Sequence, residues 1–283
     1  MLKARILTVL VLLPLLLCAL FLLPGFYWAL SMLLIVLLGV AEWSRIAAYS
    51  KPAAGLYVLV TLLLGLSLLL FTDIEDLRAD GISQWIYALS VLFWLLIVPF
   101  WLIQGWQIRN KLLLGLVGWV VLIPTWLALV QLQFMSPGLL LALMAVVWIA
   151  DIAAYFSGKK FGRHKLAKSI SPGKTWEGVA GAYMAVAVYA VAWLLYDSKL
   201  MPQQLSGLDV LPGLIMLLAV WVITYFSILG DLFESWMKRQ AGMKDSGNIL
   251  PGHGGILDRI DAITSSLPLV ALILIGLKFP VHS

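Results

Sequence analysis

Cysteine is all but missing from this chain: the single Cys18 lies inside the first apolar run and rules out an intrachain disulfide. Charge is scarce as well, at 12% of residues against 63% hydrophobic, and mean hydropathy is +1.01. That balance excludes an ordinary soluble fold. The apolar runs lack the alternation of barrel strands, and no internal repeat, low-complexity tract or soluble domain breaks them. What remains is an all-α, polytopic integral membrane protein, because a lipid-embedded backbone must satisfy its polar groups within helices or a closed barrel.

What is present is a succession of greasy segments: Ile6 to Leu23, Phe26 to Ala41, Leu56 to Phe71, Trp85 to Ile103, Leu112 to Leu132, Gly138 to Phe156, Gly178 to Tyr196, Leu211 to Gly230 and Ile260 to Leu277. They predict about nine transmembrane helices. The first has the outline of a signal peptide, but it is longer than a usual apolar core and no small-x-small cleavage site precedes Pro24, so we read it as a retained helix. Pro14, Pro99, Pro124 and Pro268 lie in or beside spans and are expected to be tolerated kinks. Asp151 is the only carboxylate more than a turn inside one of these segments, where it either reaches a functional site or pairs with a neighbouring helix.

The basic residues are distributed unevenly. With a cytoplasmic N-terminus, one side collects Lys3, Arg5, Arg45, Lys51, Arg109, Lys111, the six from Lys159 to Lys174, and Lys238, Arg239, Lys244 and Arg259, which is 16 of 19. The other side holds Arg78, Lys199 and Lys278, together with the acidic loop from Asp73 to Asp80 and with Asp197 and Asp209. The positive-inside rule then gives an N-terminus in the cytoplasm and a periplasmic C-terminus. It also explains the pI of about 9.3 without nucleic acid, which we do not expect as a partner; membrane lipids and phosphorylated substrates fit the surplus charge better. We divide the chain into N-terminal membrane helices (1–136) and C-terminal catalytic helices (137–283) carrying cytoplasmic loops 157–177 and 231–259.

Five of the fourteen carboxylates, Asp231, Glu234, Asp245, Asp258 and Asp261, fall between Asp231 and Asp261, among Lys238, Arg239, Lys244, His253 and Arg259. So dense a two-sign cluster between apolar spans marks a functional site. Asp231, Glu234, Ser235, Lys238 and Arg239 share one face of a helix expected from Asp231 to Met243, whose apolar face, with Leu232, Phe233, Trp236 and Met237, would lie on the membrane. Glycines 252, 254 and 255 around His253 permit close backbone approach to a ligand. Asp258 and Asp261, three apart, can both reach a hard cation, and with Asp231 they make a candidate Mg²⁺ site. In the other loop, Ser171-Pro172-Gly173-Lys174-Thr175 places hydroxyls, an amide and an ammonium where they can donate to phosphate oxygens. It is not a Walker A loop, since Lys168 stands where that pattern needs glycine and a membrane span precedes it.

The 27 residues from Ser235 to Asp261, SWMKRQAGMKDSGNILPGHGGILDRID, resemble without a gap the signature of the phosphatidate cytidylyltransferases, or CDP-diacylglycerol synthases, and Ser169 to Gly178 is similar to that family's second marked segment. The resemblance implies condensation of CTP with phosphatidic acid to CDP-diacylglycerol and pyrophosphate, with Mg²⁺, at the cytoplasmic face of a bacterial inner membrane. It implies catalytic roles for Asp231, Lys238, Asp258 and Asp261, with Asp231, Asp258 and Asp261 at the metal. Substrate binding falls to Ser171, Lys174, Thr175, Ser235, Arg239, Lys244, His253, Gly254, Gly255 and Arg259. Family members are similar to homodimers. Two rivals stand beside this reading: a CTP-dependent lipid kinase, which would transfer the γ-phosphoryl group, and an anion transporter, disfavoured by the lack of interrupted spans in matching halves. A CDP-alcohol phosphotransferase is disfavoured because its DG-x2-AR signature is absent.

Overall fold

The structure, a computed structural model, describes residues 2–71, 81–196, 211–250, 252 and 254–277. His253, the loop from Asp73 to Asp80, Asp197, Lys199, Asp209, Lys278 and the C-terminus lie outside the described residues.

The helices are α1 (Leu2–Leu22), α2 (Gly25–Ile46), α3 (Lys51–Phe71), α4 (Gly81–Leu92) continuing through a π-helical turn (Phe93–Ile97) into α5 (Val98–Gln104), α6 (Lys111–Met135), α7 (Pro137–Phe161), α8 (Trp176–Tyr196), α9 (Leu211–Gln240) and α10 (Leu257–Gly276). Eight of these segments, counting α4 to α5 as one, are long and apolar enough to cross a membrane. They fall on eight of the nine expected spans. The ninth falls on α1, whose apolar part Thr8–Leu22 is shorter. A two-stranded hairpin, β1 (Lys165–Ala167) and β2 (Ser171–Thr175), joins α7 to α8, with Lys165 opposite Thr175 and Ala167 opposite Ser171. The architecture is therefore all-α apart from this small ribbon.

Two boundaries and one helix face correct the reading from sequence. α9 runs unbroken for 30 residues, so the polar segment from Asp231 is the end of a span and not a separate interfacial helix. Its apolar face does not lie on lipid: Phe233 is buried edge-on against Phe93, Trp94 and Trp101 at ring distances of 5.4–5.6 Å, and Met237 is fully buried. α2 extends to Ile46, and with it Glu42, Asp231, Glu234, Asp258 and Asp261 join Asp151 as carboxylates on membrane-embedded helices.

α6 is the central helix, buried over most of its length, with α2, α4 and α10 packed on it. Its seam with α2 is locked by a reciprocal pair, in which Trp28 Nε1 donates to Leu129 O and Trp126 Nε1 to Ala29 O, each at 3.0 Å. Trp43 Nε1 adds a bond to Leu114 O at 2.8 Å and Tyr57 Oη one to Gly115 O at 2.8 Å. A buried indole or phenol needs a partner, and a helix carbonyl keeps a second lone pair to give.

The α2–α3, α5–α6, α7–α8 and α9–α10 connections meet at one end. Tyr49 Oη reaches Lys111 O at 2.9 Å, the Gln240 amide exchanges hydrogen bonds with Ile108 N and O at 3.2 and 3.1 Å, and Arg239 Nε donates to Ile170 O at 3.4 Å. The segments carrying 14 of the 16 basic residues expected on one face, those from Arg45 onward, are thus neighbours in space. That end holds the charged cluster.

Candidate active site

Two close helix crossings build the site. At Gly230 an added Cβ would come within 2.5 Å of Asp261 O and 2.6 Å of Ser265 Oγ, so α9 and α10 touch there and Asp231 is set beside Asp261. At Gly178 an added Cβ would lie 2.9 Å from Ala154 O, so α7 and α8 touch as well and the hairpin between them is drawn over the end of the bundle. Thr175 Oγ1 accepts from Gly178 N at 3.1 Å and so caps the start of α8. Glu177 accepts from His164 N and from its ring Nδ1, at 3.2 and 2.7 Å, closing the base of the hairpin.

Between these elements lies a cavity of about 690 Å³. Asp231 and Lys238 of α9 line it, with Asp258, Arg259 and Asp261 of α10, Asp151 of α7, and Ser171, Lys174 and Thr175 of β2. The two loops singled out from sequence therefore serve one site. Lys174 Nζ reaches across to Asp231 Oδ2 at 2.6 Å, and Lys238 Nζ bridges Glu234 Oε2 and Asp258 Oδ1, both at 2.5 Å. Asp258 Oδ2 accepts from Ser246 N at 3.0 Å and Gly255 N at 2.8 Å, and Ser246 Oγ lies 3.1 Å away. Asp151, left open between two roles, lines the cavity and interacts with Asp231, Lys174 and Arg259.

The remaining expected residues stand at the margin. Ser235 Oγ donates to Asp231 Oδ1 at 3.3 Å. Arg239 is exposed and ties the hairpin to α9 through Ile170 O, and Lys244 is exposed. Gly254, at φ +83°, and Gly255 shape the turn before α10. His253 lies outside the described residues. Sequence reasoning missed Glu42 and Arg45 of α2, which contact the loop before α10; the signal was a charged pair at i, i+3 ending an apolar span.

The chain has clear relatives. The sequence pattern of the cytidylyltransferase family matches residues 3–276. The chain belongs to the cytidylyltransferase family. It is 40% identical to a phosphatidate cytidylyltransferase of Pseudomonas aeruginosa over 97% of both chains. It is 36% identical to that of Haemophilus influenzae over 95% of this chain and 96% of the relative, and 35% identical to that of Bacillus subtilis over 76% and 77%.

The family resemblance implies Mg²⁺, and the donor chemistry suits it. Asp151, Asp231 and Asp261 present hard oxygen to one cavity, and Asp261 interacts with both of the others. No three acidic, histidine or cysteine side chains among the described residues converge as a closed metal cage. Mg²⁺ does not require one, since it binds through one or two carboxylates and completes its shell with water and substrate phosphate.

Proposed function

We propose that the chain transfers the cytidylyl group of CTP to phosphatidic acid, giving CDP-diacylglycerol and pyrophosphate, at the cytoplasmic face of a bacterial inner membrane. The observation that carries this reading is the single cavity lined by both the carboxylates of α9 and α10 and the cations of β2 and α10. The names of the relatives supply the reaction, and the cavity supplies groups suited to it.

In that reaction a phosphatidate oxygen attacks the α-phosphorus of CTP, a P–O bond forms, and the bond to the β-phosphate breaks to release pyrophosphate. The attacking oxygen is already anionic at neutral pH, so no general base is assigned. The obstacle is repulsion between two polyanions, and fixed cations remove it. Lys174 of β2 and Arg259 of α10 both line the cavity and would meet phosphate oxygens there, and Ser171 adds a hydroxyl. Lys238 is screened by Glu234 and Asp258, so its part is to hold Asp258 in place. Mg²⁺ would be held through Asp231 and Asp261, with Asp258 alongside, and would supply charge neutralisation on the transferring and leaving phosphates. Lys174, paired with Asp231, must turn from the carboxylate to the substrate as the two bind. Ser235 and Arg239 support Asp231 and the hairpin rather than the phosphates. Lys244, Gly254 and Gly255 belong to the segment that leads into α10, and His253 keeps the substrate-binding role that the family resemblance implies. The family resemblance adds a homodimer.

Purified protein in detergent, given CTP, phosphatidic acid and Mg²⁺, should yield a CDP-lipid and pyrophosphate in equal amounts. CDP with a phosphorylated lipid would give the reaction to a lipid kinase, and no turnover with solute uptake in vesicles would give it to a transporter. For sidedness, a periplasm-dependent reporter inserted near Arg163 should be silent and one fused after Ser283 active. An active Arg163 fusion would put the hairpin on the side away from CTP.

A further inference from the structure

Glu42 is a carboxylate on α2, far along the sequence from the cavity, and only 2% of it is exposed. It does not line the cavity, yet it is held as tightly as any group in the site. Ser246 Oγ donates to Oε2 at 2.8 Å, Ile256 N to Oε1 at 3.1 Å and Leu257 N to Oε2 at 2.9 Å. A buried carboxylate costs several kcal/mol unless it is fully hydrogen-bonded, so this geometry is specific. α10 has no side-chain cap of its own at Ile256, and Glu42 takes two of its unpaired N-terminal amides from another helix.

The loop is folded around that carboxylate. A Cβ at Gly247 would lie 2.7 Å from Glu42 Cδ, and at Gly255 the nearest atoms would be Ser246 Oγ and both Glu42 oxygens. A Cβ at Gly39, one turn earlier on α2, would lie 3.2 Å from Leu257 Cδ2, so the two helices are already in contact there. Arg45, three residues on, donates to Ser246 O. Ser246 and Gly255 are the same residues that fix Asp258 Oδ2. The Ser246 hydroxyl has one proton, and its shorter contact is with Glu42, which leaves the Ser246 amide to hold Asp258.

We propose that Glu42 is a positioning residue for the reaction: from the N-terminal part of the chain it fixes Ser246 and the first turn of α10, and through them the orientation of the Asp258 carboxylate. The inference rests on the function proposed above for its kinetic readout and on the hydrogen bonds alone for its structural one.

The test compares wild type with Glu42→Gln and Glu42→Asp in detergent, by steady-state kinetics and by hydrogen exchange. An isosteric amide cannot accept from all three donors, so Glu42→Gln should lower kcat by about 10- to 100-fold, as loss of an outer support to a catalytic group does. KM for CTP and for phosphatidic acid should stay within about twofold, because Glu42 touches neither substrate. Glu42→Asp should recover part of the lost kcat. Exchange should rise in the segment from Asp245 to Asp258 and stay unchanged in the hairpin and α6. A Glu42→Gln kcat near wild type, or a rise in exchange spread through the whole bundle, overturns the proposal. Should Glu42→Gln fail to reach the membrane, Ser246→Ala carries the test: it must lower kcat with KM held, and a wild-type kcat overturns the inference. If wild type makes no CDP-lipid, the proposed function falls, while a local rise in exchange would still support the structural half of this one.

Discussion

The helices before Ser136 and those after it are held by different chemistry. In the first group the bonds between helices join neutral groups, most of them donors to backbone carbonyls, with Trp28, Trp43, Tyr57 and Trp126 the clearest cases. In the second, the four ion pairs among the described residues all fall between His164 and Asp258, and bare glycines at 178 and 230 bring backbones together. Neutral bonds to carbonyls cost nothing to keep away from water once made, so they suit a permanent scaffold in lipid. Ion pairs at a wet cavity can exchange partners with a charged substrate, so they suit a site. The lesson is a division of labour, in which one region supplies rigidity and the other supplies replaceable contacts.

That comparison can be broken by mutation. The largest expected effect is from Asp231→Asn and Asp258→Asn, each of which removes a cavity charge without changing volume. We expect turnover to fall by at least about 100-fold, as when a fixed electrostatic partner is lost, with expression and thermal unfolding in detergent close to wild type. Unfolding at much lower temperature would show that these carboxylates are scaffold after all. Next comes Lys174→Ala. A charge-assisted contact to phosphate is worth about 1.5–3 kcal/mol, so KM for an anionic substrate should rise about tenfold or more while kcat changes less. Unchanged kcat and KM would return the hairpin to an orientation signal only.

Much of this was legible in the sequence because apolar runs and charge clusters report their own positions. Eight spans are legible in order, with every end but that of α9 within about five residues, and the hairpin residues Ser171, Lys174 and Thr175 group with Asp231 on chemistry alone. What could not be read was where a helix stops when charge enters it. Asp231 to Met243 reads as a new amphipathic helix because the pattern turns polar there. It is the old helix continuing, since Phe233 and Met237 find aromatic and aliphatic partners in the bundle. The same ambiguity ended α2 at Ala41 and set Glu42 in a loop, when a partner more than two hundred residues away makes it part of a buried span. Thr175 reads as a phosphate donor, and its oxygen has a second part that the sequence does not show, accepting from Gly178 N at the start of α8. Side-chain chemistry names what a residue can bind, and only the fold names which partner it has.

The smallest effect sharpens the comparison from the scaffold side. Trp126 is fully buried on α6, and its indole donates to Ala29 O while Trp28 returns the bond to Leu129 O. Trp126→Phe keeps an aromatic ring but removes the donor and leaves a void where the second ring was. Ala29 O keeps its bond within α2, so no carbonyl is stranded. The cost should be about 1–2 kcal/mol, the worth of one hydrogen bond with some lost packing. In a chain of this size that corresponds to a fall of roughly 2–8 °C in the unfolding midpoint. Because the α2–α6 seam does not touch the cavity, kcat and KM measured well below the midpoint should stay within about twofold of wild type. Trp28→Phe should behave alike, and the double variant should cost less than the sum of the two, since the bonds share one crossing. If instead turnover fell while the midpoint held, the seam would be transmitting to the site, and the separation between a rigid region and a reactive one would be wrong at its centre.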